Sequence, residues 1–251
     1  MAHVVEFQPG GYRFVKAVFQ YSAGVAAQPG FAIERVRFVR PPNLAEGFDA
    51  IAVHLQQRGR PLTSLCGCEL RSPAPFSEEG FTAFNRNYVQ TLERWGLVNG
   101  DTNPVARTNV CPVHEPPSQP VFHAFSYTVP DDGGTPPTFV VAGGGEAPEG
   151  HPNYRDVIVC LGDTSPDGLR QKVRYVVAEM TRRLEALGFS WQDAIATQAY
   201  TVHDIGALMW QELVQRGIAR AGLTWQFTRP PIVDLEYEMD VRRVARELIH
   251  A

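Results

Sequence analysis

The sequence predicts an α+β protein made of two tandem β/α units, each a mixed sheet packed against helices. Three echoes in the same order carry that reading. Val110-Cys111-Pro112-Val113-His114-Glu115 parallels Ala199-Tyr200-Thr201-Val202-His203-Asp204, both ending Val-His-acid. Each run follows an amphipathic helical stretch, one from Gly80 to Gly96 and one from Gly168 to Gly188, the second longer by about one turn. Upstream, Leu65-Cys66-Gly67-Cys68-Glu69 parallels Ala142-Gly143-Gly144-Gly145-Glu146. A duplicated fold places a pseudo-symmetric seam inside the chain, and clefts at seams are favoured ligand positions.

The elements follow in order. Residues 12–21 are rich in aromatic and β-branched side chains and read as a strand. Residues 33–39 alternate apolar and charged, as a half-buried strand does, and Pro41-Pro42 closes it. A short helix over 44–55 precedes a strand ending near Leu70. Ser77 caps a helix over 78–95, with Glu78 and Glu79 on its positive dipole end. Strands at 105–113 and 121–129 follow. Residues 130–137, Pro-Asp-Asp-Gly-Gly-Thr-Pro-Pro, form the clearest linker and set the boundary between a domain at 1–130 and one at 138–251.

The second half opens with a strand and the glycine triplet 143–145. No Gly-Lys-Ser/Thr follows it, so the triplet reads as a turn or a close backbone approach to a ligand, with Gly144 at its centre. A strand is expected at 156–161. Asp163, Thr164 or Ser165 caps a helix opened by Pro166, whose apolar face is Leu169, Val173, Val176, Met180, Leu184 and Leu187. A strand at 194–202, a helix at 205–218, a final strand at 232–241 and a basic helical tail from Arg242 complete the pattern.

Composition narrows the function classes. The chain has 251 residues and a net charge of −4, and no Lys/Arg cluster, so nucleic acid is not an expected partner. No apolar run is long enough to span a membrane, and the N-terminus lacks a secretory pattern. Four cysteines fit a reduced, cytoplasmic protein. Cys66 and Cys68 are too closely spaced for the usual metal or redox motif and read as small, buried strand residues. His114 and His203 occupy matching strand ends, but nothing local completes a metal site. No metal and no cofactor are therefore expected.

The second half resembles the Rid family (YjgF/YER057c/UK114). The resemblance rests on the glycine-rich strand end before Glu146, on Leu187-Gly188-Phe189-Ser190, on Trp191 to Asp204, and on Arg220, Pro230 and Leu235-Glu236-Tyr237-Glu238. It covers roughly residues 138–241. The first half is similar more weakly and reads as having lost the arginine and the acidic pair. The arginine-to-proline interval is one residue longer than the family pattern, and residues 149–156 look like an insertion. The resemblance implies chorismate-mutase-like units in a homotrimer with clefts between units. It also implies hydrolysis of enamines or imines to ketones and ammonia, with deaminases of 2-aminomuconate type, from aromatic degradation, in the same family.

Site candidates follow. By the resemblance, Arg220 holds a substrate carboxylate, for which a guanidinium offers a bidentate fork. Glu236 and Glu238, two apart on a strand, share a face. Crowded carboxyls raise one pKa, leaving a group able to carry a proton near neutrality. The resemblance favours Glu236 as the catalytic acid, then Glu238. Arg71 follows the Cys66–Leu70 strand and is a candidate for a second carboxylate, and Tyr21, Asn85 and Arg86 are further contributors from the first half. The expected activity is a cofactor-independent deaminase of a small carboxylated enamine or imine. Its rivals are a chorismatase-like, pyruvate-releasing enzyme and a non-catalytic metabolite-binding protein.

Overall fold

Two sheets hold every strand, and each contains the same four-strand scheme. The computed structural model describes residues 3–151 and 153–250. In the first unit, β4 (Phe31–Phe38), α1 (Leu44–Gln57), β5 (Leu65–Arg71), α2 (Glu78–Arg94), β6 (Ala106–Pro112) and β7 (Val121–Pro130) follow one another. Strand β7 lies antiparallel between β4 and β5, and β5 runs parallel to β6. In the second unit the series is β8 (Phe139–Gly145), α3 (Pro166–Ala186), β9 (Ala196–Tyr200), α4 (Gly206–Leu208), β10 (Leu223–Gln226) and β12 (Glu238–Arg243). Strand β12 lies antiparallel between β8 and β9, and β9 runs parallel to β10. The chain is a tandem two-unit α+β protein.

The units correspond differently from the sequence echoes. By strand order α1 matches α3, and α2 matches α4, which continues directly into a π-helix at Met209–Val214. The long helices α2 and α3, paired by their flanking glycines, are thus second and first in their respective units. The Val-His-acid runs end β6 and β9, and the Cys66–Cys68 and Gly143–Gly145 runs lie on β5 and β8; neither pair is equivalent. The echoes record shared stop chemistry. Gly96 and Gly188 follow the last turns of α2 and α3 at φ 73° and 81°, a backbone state that glycine adopts without a Cβ penalty.

The division at 130/138 separates the units in sequence but not the sheets. Strands β1 (Val4–Phe7), β2 (Tyr12–Val15) and β3 (Gly24–Ala27) join the second unit, because β3 pairs with the open edge of β8. Strand β13 (Arg246–His250) pairs in parallel with β4 of the first unit, and the two-residue β11 (Thr228–Arg229) pairs with β6. The basic tail is a strand for this reason: a bare sheet edge gives it backbone partners, and Arg242 and Arg246 reach Glu247 and Glu34 at 3.3 and 3.8 Å. The strand expected at 156–161 is a 3-10 turn, Tyr154–Asp156, and a loop in which Cys160 has a φ of 48°. That backbone state breaks a β ladder.

The caps agree with the residues. Ser77 Oγ accepts from Gly80 N at 3.1 Å, and Ser165 Oγ from Gly168 N at 3.2 Å, with Pro166 at the first helical position. Helix α3 packs Leu169, Val173, Val176, Met180 and Leu184 on its own sheet. Phe48, Ile51, Leu55 of α1 and Tyr88, Leu92 of α2 cover the other sheet. A third core, including Phe14, Val25, Ile33, Cys66 and Ala142, joins the two sheets. Cys66 and Cys68 belong to different cores, on opposite faces of β5. The layers therefore run helix, sheet, sheet, helix, and the seam between units opens where β6 meets β8.

Candidate active site

A pocket lies at this seam, lined by β6 of the first unit and by β8 and β12 of the second. Its cation is Arg107 on β6, only 3% exposed. The guanidinium donates to Asn85 Oδ1 and lies 5.0 to 5.8 Å from the rings of Tyr21, Phe81, Phe84 and Tyr88. Among the described residues no carboxylate forms an ion pair with it. Burial weakens its hold on its proton, but an arginine stays charged at any working pH. A buried cation surrounded by aromatic faces, with fork donors to spare, is prepared for an anion from outside.

Glu238, at the start of β12 and 4% exposed, lines the same pocket. Burial pushes its carboxyl well above the ordinary 4.5, and the nearby Asp240 and Glu146 push the same way; Arg183 and Arg107 oppose them. Burial dominates, so the site favours the protonated form of Glu238. It fits only because residue 143 is glycine: a Cβ there would collide with Glu238 Oε1. A Cβ on Gly144 would lie 2.7 Å from Met180 Cε and 2.9 Å from Arg183 Nη2. The glycine triplet lets a carboxyl and a guanidinium pack directly against the backbone of β8.

Three buried groups fix this arrangement. Arg183, from α3, donates to the carbonyls of Ala142 and Gly143 at 3.1 and 3.3 Å, and to Glu149 at 2.9 Å. Glu146 accepts from the backbone of Glu236 and Tyr237 at 2.6 and 3.1 Å, setting the approach of the chain to Glu238. Thr108 donates to Asp240 at 2.9 Å and accepts from Gly143 N at 3.1 Å, tying β6, β8 and β12 together. The 149–156 segment closes one side, where Glu149 and Tyr154 line the pocket.

Of the residues singled out in the sequence, Glu238 and Gly144 line the pocket, with Tyr21 beside them. Asn85 acts from behind, through Arg107. Glu236 is directed elsewhere: its Oε2 lies 2.7 Å from His203 Nε2 and 3.5 Å from Arg229. The two glutamates do not share a face because β12 begins only at Glu238, after a turn in which Asp234 has a φ of 73°. Arg220 is exposed and bonds Gln192 at 3.2 Å, away from the pocket. Arg71 is buried but donates to Leu70 O and Gln226 Oε1, with its guanidinium over Tyr200. His114 stacks on Phe227 instead of meeting His203. Among the described residues no group of three or more His, Cys, Asp or Glu forms a metal site.

The first half, expected to have lost the family's arginine and to offer Arg71 and Arg86 instead, places Arg107 in the pocket, which the sequence reading missed, as it missed Asn109. The signal was present: in Pro104-Val-Ala-Arg-Thr-Asn-Val110 a charge sits in the interior of a strand flanked by Val105 and Val110. A lone arginine amid such a strand is either paired or functional.

Fold and site together define a tandem two-unit α+β protein with a composite pocket, lined by a buried cation from one unit and by a carboxyl from the other whose pKa burial raises. The chain belongs to the 2-aminomuconate deaminase CnbZ family, which it matches over residues 4–248. It is 56% identical over 250 residues to a 2-amino-5-chloromuconate deaminase of Comamonas testosteroni, covering 99% of this chain and 100% of that one. Similar solved structures include a chorismatase, with 12% identity, a TM-score of 0.41 and coverage of 89% of this chain and 77% of that one. The YjgF gene product of E. coli is another, with 15% identity, a TM-score of 0.30 and coverage of 43% and 81%.

Proposed function

We propose that this protein is a cofactor-independent hydrolase that deaminates an enamine of 2-aminomuconate type to the corresponding keto acid and ammonia. One observation carries the reading: an arginine with no ion pair among the described residues and a glutamic acid whose pKa burial raises line one seam pocket, in a chain that belongs to a deaminase family. In the proposed reaction Arg107 binds the carboxylate beside the amino-bearing carbon. Glu238 gives its proton to a carbon of the conjugated chain, converting enamine to iminium. The Glu238 carboxylate then takes a proton from water as the water oxygen bonds to the iminium carbon. Glu238 gives that proton to nitrogen, the C–N bond breaks and ammonia leaves, and the hydroxyl proton passes to the Glu238 carboxylate as the carbonyl forms. Atoms balance as enamine plus water giving ketone plus ammonia, and Glu238 ends as it began.

The test is direct. Purified protein supplied with 2-aminomuconate, or with 2-aminoacrylate generated in solution, should release ammonia at a rate well above buffer. No release from either would sink the proposal. Chorismate with a pyruvate readout addresses the chorismatase-like alternative and should give none. The homotrimer belongs to the same proposal, and light scattering at micromolar concentration checks it.

A further inference from the structure

Two residues beyond Arg107 on the same strand, β6 carries a second polar side chain into the pocket. Asn109 is 3% exposed and lines the cavity. Its Oδ1 accepts from the Ser72 hydroxyl at 3.0 Å. Ser72 is itself held in place by its own N–H, which donates to Val110 O at 3.0 Å. With Oδ1 engaged, the amide nitrogen is the free end, and Asn109 Nδ2 is buried without a hydrogen-bond partner. A buried amide donor left unpaired is costly and therefore uncommon. A ligand oxygen in the pocket would remove that cost.

The placement indicates what kind of ligand. Residues i and i+2 of a strand point to one face and stand about 6.6 Å apart. Arg107 and Asn109 thus offer a charged fork and a neutral donor at a spacing comparable to the two carboxyl ends of a linear six-carbon chain. Between them the wall is apolar, formed by Phe81, Ala147, Ile232 and Leu235. Such a wall suits the hydrocarbon middle of the ligand.

We propose that Asn109 is a specificity-determining residue that receives the carboxylate at the far end of a linear dicarboxylate, while Arg107 holds the near one. The inference deepens the deaminase reading and rests on it for the identity of the substrate, but its test does not need turnover. Muconate and 2,4-hexadienoate share a conjugated six-carbon chain, lack the amino group and differ only at the far end, carboxylate against methyl. The wild-type protein should bind muconate at least ten-fold more tightly by calorimetry. Asn109→Ala should weaken muconate about ten-fold and leave 2,4-hexadienoate within two-fold, so that the second ligand reports that the pocket is folded. Asn109→Asp, which sets a carboxylate against a carboxylate, should weaken muconate further.

Equal wild-type affinity for the two acids would overturn the inference, as would equal weakening of both by Asn109→Ala. Full retention of muconate binding in Asn109→Asp would also overturn it, since the position would then not donate to a carboxylate. Ammonia release by the wild type tests the deaminase reading separately. Discrimination between the two acids without turnover would uphold Asn109 and refute the reaction; turnover without discrimination would do the reverse.

Discussion

Strand β6 of the first unit brings Arg107 and Asn109 to the seam; β10, which holds the same place in the second, reads Leu-Thr-Trp-Gln and has no arginine. The second unit supplies Gly143 to Gly145 on β8 and Glu238 on β12. Their counterparts in the first unit, β4 (Phe-Ala-Ile-Glu-Arg-Val-Arg-Phe) and β7 (Val-Phe-His-Ala-Phe-Ser-Tyr-Thr-Val-Pro), carry no glycine and no acid on the middle strand. The two units share one topology, and in the proposed reading each supplies half of the chemistry. A symmetric dimer of units would have two equivalent seams. Here a pocket lies at the seam joining β6 to β8, and its polar lining comes from different strands of the two units. The surplus polar groups of the first unit went into structure: Arg35 forms a bidentate pair with Glu69 at 2.5 and 2.7 Å.

That division can be broken residue by residue. The largest effect should come from Glu238→Gln, which keeps shape but loses the transferable proton. Steady-state ammonia release should show kcat down by about two to four orders of magnitude with KM little changed. A variant within a few-fold of the parent would remove Glu238 from the reaction.

Arg107→Ala should come next. Losing a charge-assisted contact to a carboxylate costs roughly 1.5–3 kcal/mol, or about ten- to one-hundred-fold in kcat/KM. Arg107→Lys should recover only part of this, since an ammonium does not present a planar fork.

A smaller effect concerns stability. The folded pKa of Glu238 lies above the ordinary 4.5, so between those values the native state binds the proton more firmly than the unfolded chain. Stability conferred at acid pH is therefore lost as pH rises above 4.5, by at most about 1.4 kcal/mol per unit from this group. Glu238→Gln should remove that slope, so its Tm advantage over the parent should widen from pH 5 to pH 8. A constant difference across that range would mean that the carboxyl is ionised in the folded protein. Glu146 and Asp240 are also raised by burial, and because they interact with Glu238 the difference between variant and parent reports the three carboxyls together.

The smallest effects sharpen the contrast between the units. Arg220→Ala and Glu236→Gln should leave kcat/KM within about three-fold, because one residue is at the surface and the other is held by His203 and Arg229. A ten-fold loss in either would return part of the site to the second unit alone.

What could be read from the sequence follows the range of the interactions involved. Helices were legible because caps and periodicity are local: Ser77, Ser165 and the face from Leu169 to Leu184 needed no knowledge of the rest of the chain. Duplication was legible too, but its register was not. Glycine stops after α2 and α3 look alike whatever a helix's rank in its unit. Glu238 was found by alternation along a strand, and Glu236 was wrongly grouped with it because a turn at Asp234 is invisible to that rule. Arg107 faces Glu238 only through the packing of two sheets, and no local pattern reports such a partner. The strand β13 was read as a helix for the same reason, since its pairing with β4 joins opposite ends of the chain.

That crossing of the chain ends has a consequence for synthesis. As the protein emerges from the ribosome, β1 to β3 are made first but have no sheet to join until β8 appears. The first unit keeps a bare edge at β4 until β13, which follows all the other described strands, is released. Late pairings between distant segments are slow to form, and an exposed edge is an invitation to other chains. Splitting the chain at the 130–137 linker would strand both sets of edge strands with the wrong partner. The two halves are therefore expected to be soluble together and aggregation-prone apart, even though each contains a complete four-strand unit.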